Sequence, residues 1–204
     1  EKDKIKETVL KILNEKYGIV EEDFLSAEIE VVPSGKARDI GLDRSLIGAY
    51  GHDDRVCSYG ALKGILEIDN PDKTAVCLLA DKEEIGSMGN TGMQAEYFEY
   101  AISAMINSQS GNFNELMLRK CFANSKCLSA DVGAAMDPTY KEVSEPRNAP
   151  KANYGVMICK YTGARGKSGS NDANAEYIGK LRKIMDDNNV AFQTAELGKV
   201  DIGG

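Results

Sequence analysis

Histidine is nearly absent from this chain: His52 is the only one in 204 residues. Ser87 has no histidine near it in sequence, and His52 lies beside Asp53, so a serine nucleophile activated by imidazole is disfavoured. Basic residues are also short, 25 against 32 acidic for a net charge of −7. Phosphate binding needs a basic stripe, so nucleic acid is not expected as a partner. No apolar run approaches the roughly 18 residues that cross a bilayer, and nothing at the amino end resembles a secretory signal. No membrane partner is expected. The cysteines, Cys57, Cys77, Cys121, Cys127 and Cys159, are odd in number, and Cys121 to Cys127 is not a zinc-ribbon spacing. Several lie in apolar runs, where free thiols are the default. A reducing, cytoplasmic setting fits them.

What is present can build a core. A hydrophobic content of 42% suffices for one substantial core with some extra for a second element. Ile5, Val9, Ile12 and Leu13 share one face of a helix that Gly18 can end. Residues 28–32 alternate polar and apolar, as a half-buried strand does. The pattern then predicts a helix over 56–66, a strand over 74–80, a helix over 94–106 and a strand over 128–131. Pro138, Pro146 and Pro150 mark an irregular connection. A strand over 154–159, a helix over 172–185 opened by Asp172 and a strand over 190–194 complete the series. Strands alternating with helices imply a layered α/β fold. The methionines are scattered and read as core or contact filling rather than a binding stripe.

Acidic residues gather at the ends of the apolar runs. Asp81-Lys82-Glu83-Glu84-Ile85-Gly86-Ser87 follows the run at 75–80, and Asp131 closes Leu128-Ser129-Ala130-Asp131. A third acidic site, His52-Asp53-Asp54-Arg55, stands just before the helical pattern at 56–66. Taken alone, a Glu-Glu pair is an ordinary solvated turn. Three carboxylate sites at element ends instead suit an open α/β sheet, whose ligands bind beyond the carboxyl ends of the strands. Zinc accepts carboxylate oxygens, two zincs can share one bridging carboxylate, and an adjacent carboxylate can deprotonate a bound water.

Asp53-Asp54-Arg55, Asp81-Lys82-Glu83-Glu84-Ile85-Gly86-Ser87 and Ser129-Ala130-Asp131 together resemble three successive motifs of the aspartyl aminopeptidase/aminopeptidase I family. The stretch at 42–66 and the turn Asp137-Pro138-Thr139-Tyr140 are similar to the family as well. The resemblance implies a three-layer zinc-exopeptidase-like α/β fold with a mostly parallel mixed central sheet flanked by helices. It places the end of an inserted dimerisation or lid domain at 1–45 and an incomplete catalytic domain at 46–204. The implied activity is removal of N-terminal amino acids from peptides by a cocatalytic pair of Zn²⁺ ions, with Co²⁺ or Mn²⁺ as alternatives. Asp53 would bridge the metals and precede a cis peptide to Asp54. Glu83 would be the general base, Glu84 a ligand to one zinc and Asp131 a ligand to the other. A homo-oligomer, from dimer to dodecamer, is the implied assembly.

The chain also departs from the family. Each zinc there takes a histidine from elsewhere in the enzyme, whereas His52 stands where an apolar or small polar residue is usual. His52 therefore reads as a neighbour of the site rather than a ligand. Ala134 stands where many members have a histidine linked to acidic specificity, so the preferred first residue of the substrate stays open. These gaps lead us to expect an internal, inactive fragment of a longer enzyme, or a non-catalytic assembly derivative of the fold. The stretch Tyr161-Thr162-Gly163-Ala164-Arg165-Gly166-Lys167-Ser168 invites a phosphate-loop reading, but Tyr161 holds the place of the required first glycine. A flexible loop or subunit contact is expected there, with Arg165 or Lys167 able to meet a substrate carboxylate.

Overall fold

The structure is a computed structural model that describes residues 2–83, 86–164 and 168–196. Contacts divide the chain into two units, Glu1–His52 and Asp53–Gly204. In the first, helix α1 (Lys2–Tyr17) carries the expected apolar stripe. It ends where Gly18 takes a left-handed φ of 73° and its N–H returns to the Asn14 carbonyl at 2.9 Å. Strands β1 (Arg38–Ile40) and β2 (Leu46–Gly48) then pair antiparallel, with Ile40 opposite Leu46. The Asp43 carboxylate closes their turn by accepting the Ser45 N–H at 3.2 Å. Bonds from Ser45 hold the Asp43 carboxyl below its usual range.

The second unit starts within helix α2 (His52–Leu66) and continues through α3 (Tyr97–Ser110) and α4 (Glu115–Asn124). Strands β3 (Val156–Ile158), β4 (Tyr161–Ala164) and β5 (Ser168–Asp172), helix α5 (Ala175–Asp187) and strand β6 (Phe192–Thr194) follow. Helices α3 and α4 form a pair. The Phe98 and Phe122 rings stack at 5.9 Å, and Arg119 on α4 meets Glu99 on α3 at 3.9 Å. Ile102 and Leu118 are buried, one on each helix, and Ala149, Ile158 and Ala195 are buried farther along the chain. Helix α4 was not singled out by periodicity, although its start is chemically marked. Asn114 has extended backbone, and its side chain accepts the Met117 N–H at 3.1 Å.

β3 and β6 are parallel, with Val156 opposite Phe192 and Ile158 opposite Thr194, and α5 lies between them in sequence. Gln193 extends this pair sideways. Its amide accepts the Lys151 N–H at 2.9 Å and donates to the Lys151 carbonyl at 3.0 Å and the Gly155 carbonyl at 3.2 Å. Glu196 N–H reaches the Asn148 carbonyl at 2.9 Å, and Met136 N–H reaches Pro150 at 2.8 Å. The proline-rich connection is thereby tied to the β3–β6 pair on one side and to the segment after Asp131 on the other.

Several local expectations need correction. Residues 28–32, 74–80 and 128–131 join no strand ladder among the described residues. Apolar runs advertise burial, but a strand exists only through its partner, which a local pattern does not name. Helix α5 begins after Asn174, whose side chain accepts the Tyr177 N–H at 2.9 Å. Asp172 instead ends β5, where its carboxylate takes the Lys160 ammonium at 2.6 Å. The stretch expected to be a loop at 161–170 forms the antiparallel β4–β5 hairpin, while Arg165 and Lys167 lie outside the described residues.

Gly155 gives a first expected result. It takes φ +91°, and a Cβ there would lie 2.2 Å from the Ala191 carbonyl oxygen and 2.7 Å from the Phe192 nitrogen. Left-handed backbone costs a side chain about 1–2 kcal/mol, and backbone neighbours cannot rotate aside. Gly155→Ala should therefore lower stability by at least about 2 kcal/mol. A denaturant midpoint equal to that of the parent protein would contradict this.

Candidate metal centre

Asp53 lies at the opening of α2, where the helix is interrupted: its φ of −74° and ψ of 119° are not helical. The Asp53–Asp54 peptide is cis, as the sequence comparison above implied. One turn on, Cys57 is half-buried. Burial first, then the negative charges of Asp131, Asp53 and Asp54, push its thiol above the ordinary range. The charge of Asp131 and those at the opening of α2 thus act on the same thiol. The physical consequence concerns reactivity, because the thiolate is the nucleophile and a raised pKa leaves less of it. In chelator-treated protein at about pH 8.5, near the free-thiol pKa, iodoacetamide should modify Cys57 more slowly than the exposed Cys127. Asp131→Asn should speed the Cys57 reaction; an unchanged rate would show that the charge is not felt there.

Glu83 is held in a tight loop. Its carbonyl accepts the N–H groups of Gly86 at 2.8 Å and Ser87 at 3.1 Å. On either side, Lys82 and Ser87 adopt left-handed backbone with φ 59° and 58°. Asp81 and Thr91 close the wider loop twice, by Asp81 N–H to the Thr91 carbonyl and Thr91 Oγ1 to Asp81 Oδ2, both at 3.2 Å. Glu84, the expected zinc ligand next door, lies outside the described residues.

Asp131 is exposed, and its Oδ1 accepts the N–H of Val132 at 2.7 Å. That bond orients one carboxylate oxygen and leaves the second oxygen's lone pairs as potential donors to a cation. Ala134 is exposed as well. Carboxylate oxygens are donors that zinc accepts. No group of three His, Cys, Asp or Glu side chains able to hold a metal forms among the described residues. The donor set therefore fits zinc in kind, while its number among these residues is short.

Solved structures carry the same fold. The crystal structure of an M18-family aminopeptidase from Thermotoga maritima is similar at TM-score 0.89 and 51% identity, covering 98% of this chain and 44% of that one. Aminopeptidase I from Clostridium acetobutylicum matches at TM-score 0.86 and 52% identity, over 100% of this chain and 43% of the other. The class defined is the α/β fold of the M18 aminopeptidases. A curated Clostridium acetobutylicum protein, a probable M18 family aminopeptidase 1, is 55% identical over 204 residues, 100% of this chain and 44% of its own length. The chain belongs to the family described as aminopeptidase I zinc metalloprotease (M18), whose profile matches residues 1–204. It spans less than half the length of these relatives.

Proposed function

We propose that the full-length protein is a zinc-dependent aminopeptidase that removes N-terminal amino acids from peptides. The observation that carries this reading is the match of residues 1–204 to the M18 family, and the negative charges of Asp131, Asp53 and Asp54 all acting on Cys57 accord with it. Asp53, Glu84 and Asp131 would be the carboxylates that hold the zinc, Asp53 as the shared one. Zinc, when bound, supplies Lewis acidity and lowers the pKa of a water. Glu83 would act as general base toward the attacking water and as general acid toward the leaving amine. The loop that holds the Glu83 carbonyl fixes where this carboxylate starts from. Residues 1–45 are read as the end of an inserted lid or dimerisation domain and 46–204 as part of the catalytic domain.

A homo-oligomer is the expected assembly; a solved yeast relative of the same fold is described as a dodecamer. No helix among the described residues is long and apolar enough to cross a membrane. A cytoplasmic setting rests on the five cysteines, which form no disulfide among the described residues.

Metal analysis of the full-length protein tests the site. About two zinc ions per chain, reduced to one or fewer in Asp53→Asn, are expected of a shared-carboxylate centre. Less than one zinc, unaffected by Asp53→Asn, would overturn the reading and favour a non-catalytic assembly protein built on the fold.

A further inference from the structure

The Glu83 loop is gripped from a second direction. The backbone N–H of Gln94 donates to the Ser87 carbonyl at 3.1 Å, and its side-chain amide donates to the adjacent Gly86 carbonyl. The opposite faces of the same two residues, their N–H groups, point back to the Glu83 carbonyl at 2.8 and 3.1 Å. Gly86 and Ser87 are thus held between Glu83 and Gln94. Gln94 stands just ahead of α3, and α3 is fixed by buried Ile102 and by the stacking of Phe98 on Phe122. The chain runs from Gln94 directly into that packed helix pair, and the bonds of Gln94 to Gly86 and Ser87 lead on to the backbone of Glu83.

Two further features fit such a hold. Ser87 and Lys82 occupy left-handed backbone, which side chains other than glycine adopt only when their surroundings impose it. Gly92 is buried, and its Cα faces the Ser87 and Met88 backbone so closely that a Cβ would not fit. The two limbs of the loop therefore touch directly between the Asp81–Thr91 closure and Gln94.

We propose that Gln94 is a positioning residue for Glu83: its amide, by fixing the Gly86 carbonyl, sets the placement of the general base. This rests on the reading of Glu83 as that base. Gln94 is exposed, and a hydrogen bond in such a place contributes little to folding. Its effect should fall on geometry, where a displacement of about 1 Å can cost up to about 10²-fold in rate.

The test is a double-mutant cycle in the full-length protein, with kcat and KM measured on a short peptide and melting followed in parallel. Gln94→Leu should lower kcat by about tenfold or more, change KM less than about twofold and leave the melting temperature nearly unchanged. Gln94→Glu keeps the side-chain length and loses the donor, so it should match Gln94→Leu. With Glu83 already replaced by Gln, adding Gln94→Leu should cost little more, because both changes act through one group. Parent-like kcat in Gln94→Leu, or a full multiplicative loss in the double variant, would overturn the role of Gln94 alone. Parent-like kcat in Glu83→Gln would instead overturn the reading of Glu83 itself, and this inference with it.

Discussion

Glu83→Gln in the full-length protein should lower kcat by about 10²–10⁴-fold, the usual contribution of a positioned acid–base group. The substitution is nearly isosteric, and the bonds from Gly86 and Ser87 to the Glu83 backbone carbonyl are not touched by it. The loop should therefore persist while the proton acceptor is lost. Zinc content should remain at the parent value, because Asp53, Glu84 and Asp131 are the assigned ligands. That separation of turnover from metal content is what distinguishes a base from a ligand. Loss of zinc together with activity would move Glu83 into the ligand set, and unchanged kcat would remove it from the chemistry.

Gly92→Ala should damage the same loop through packing alone. A Cβ at Gly92 would lie 2.1 Å from the Ser87 carbonyl oxygen, 2.5 Å from its carbon and 2.7 Å from the Met88 carbonyl oxygen. All three are backbone atoms, so no rotamer change relieves the overlap. The limbs must part, carrying Gly86 and Ser87 away from the Glu83 carbonyl. Overpacking of this kind costs about 1–3 kcal/mol. The shift at Glu83 should reduce kcat by about 10²-fold, since misplacement near 1 Å is enough. Denaturant unfolding and turnover on a short peptide measure both effects. A variant with parent-like stability and kcat would show that the close approach of Gly92 to Ser87 does not hold in the working protein.

Some of this was legible in the chain itself. The run Asp81 to Ser87 speaks only together with the acidic sites at Asp53-Asp54 and Asp131, whose order and spacing a sequence shows directly. The face and end of α1 were legible locally, from its apolar spacing and Gly18. Other starts were marked but ambiguous. Asn114 opens α4 and Asn174 opens α5, yet Asp172 offered an equally good cap on paper. Lys160 decides that choice, since its ammonium draws Asp172 into the β4–β5 hairpin.

By itself the sequence determined the kind of donors, their order and the family to which they compare. These are properties of residue type and spacing, and they survive without coordinates. Only tertiary structure decided which of them meet. The segment after Asp131 is tied through Met136 to Pro150, and Lys151 is held by Gln193 of β6, while the Asp131 charge acts on Cys57 across the long stretch of sequence between them. Gln94 looks like any polar residue before a helix until its amide is found on the Gly86 carbonyl. Such contacts join residues far apart in the chain through backbone groups that every residue possesses. For that reason side-chain identity alone does not announce them.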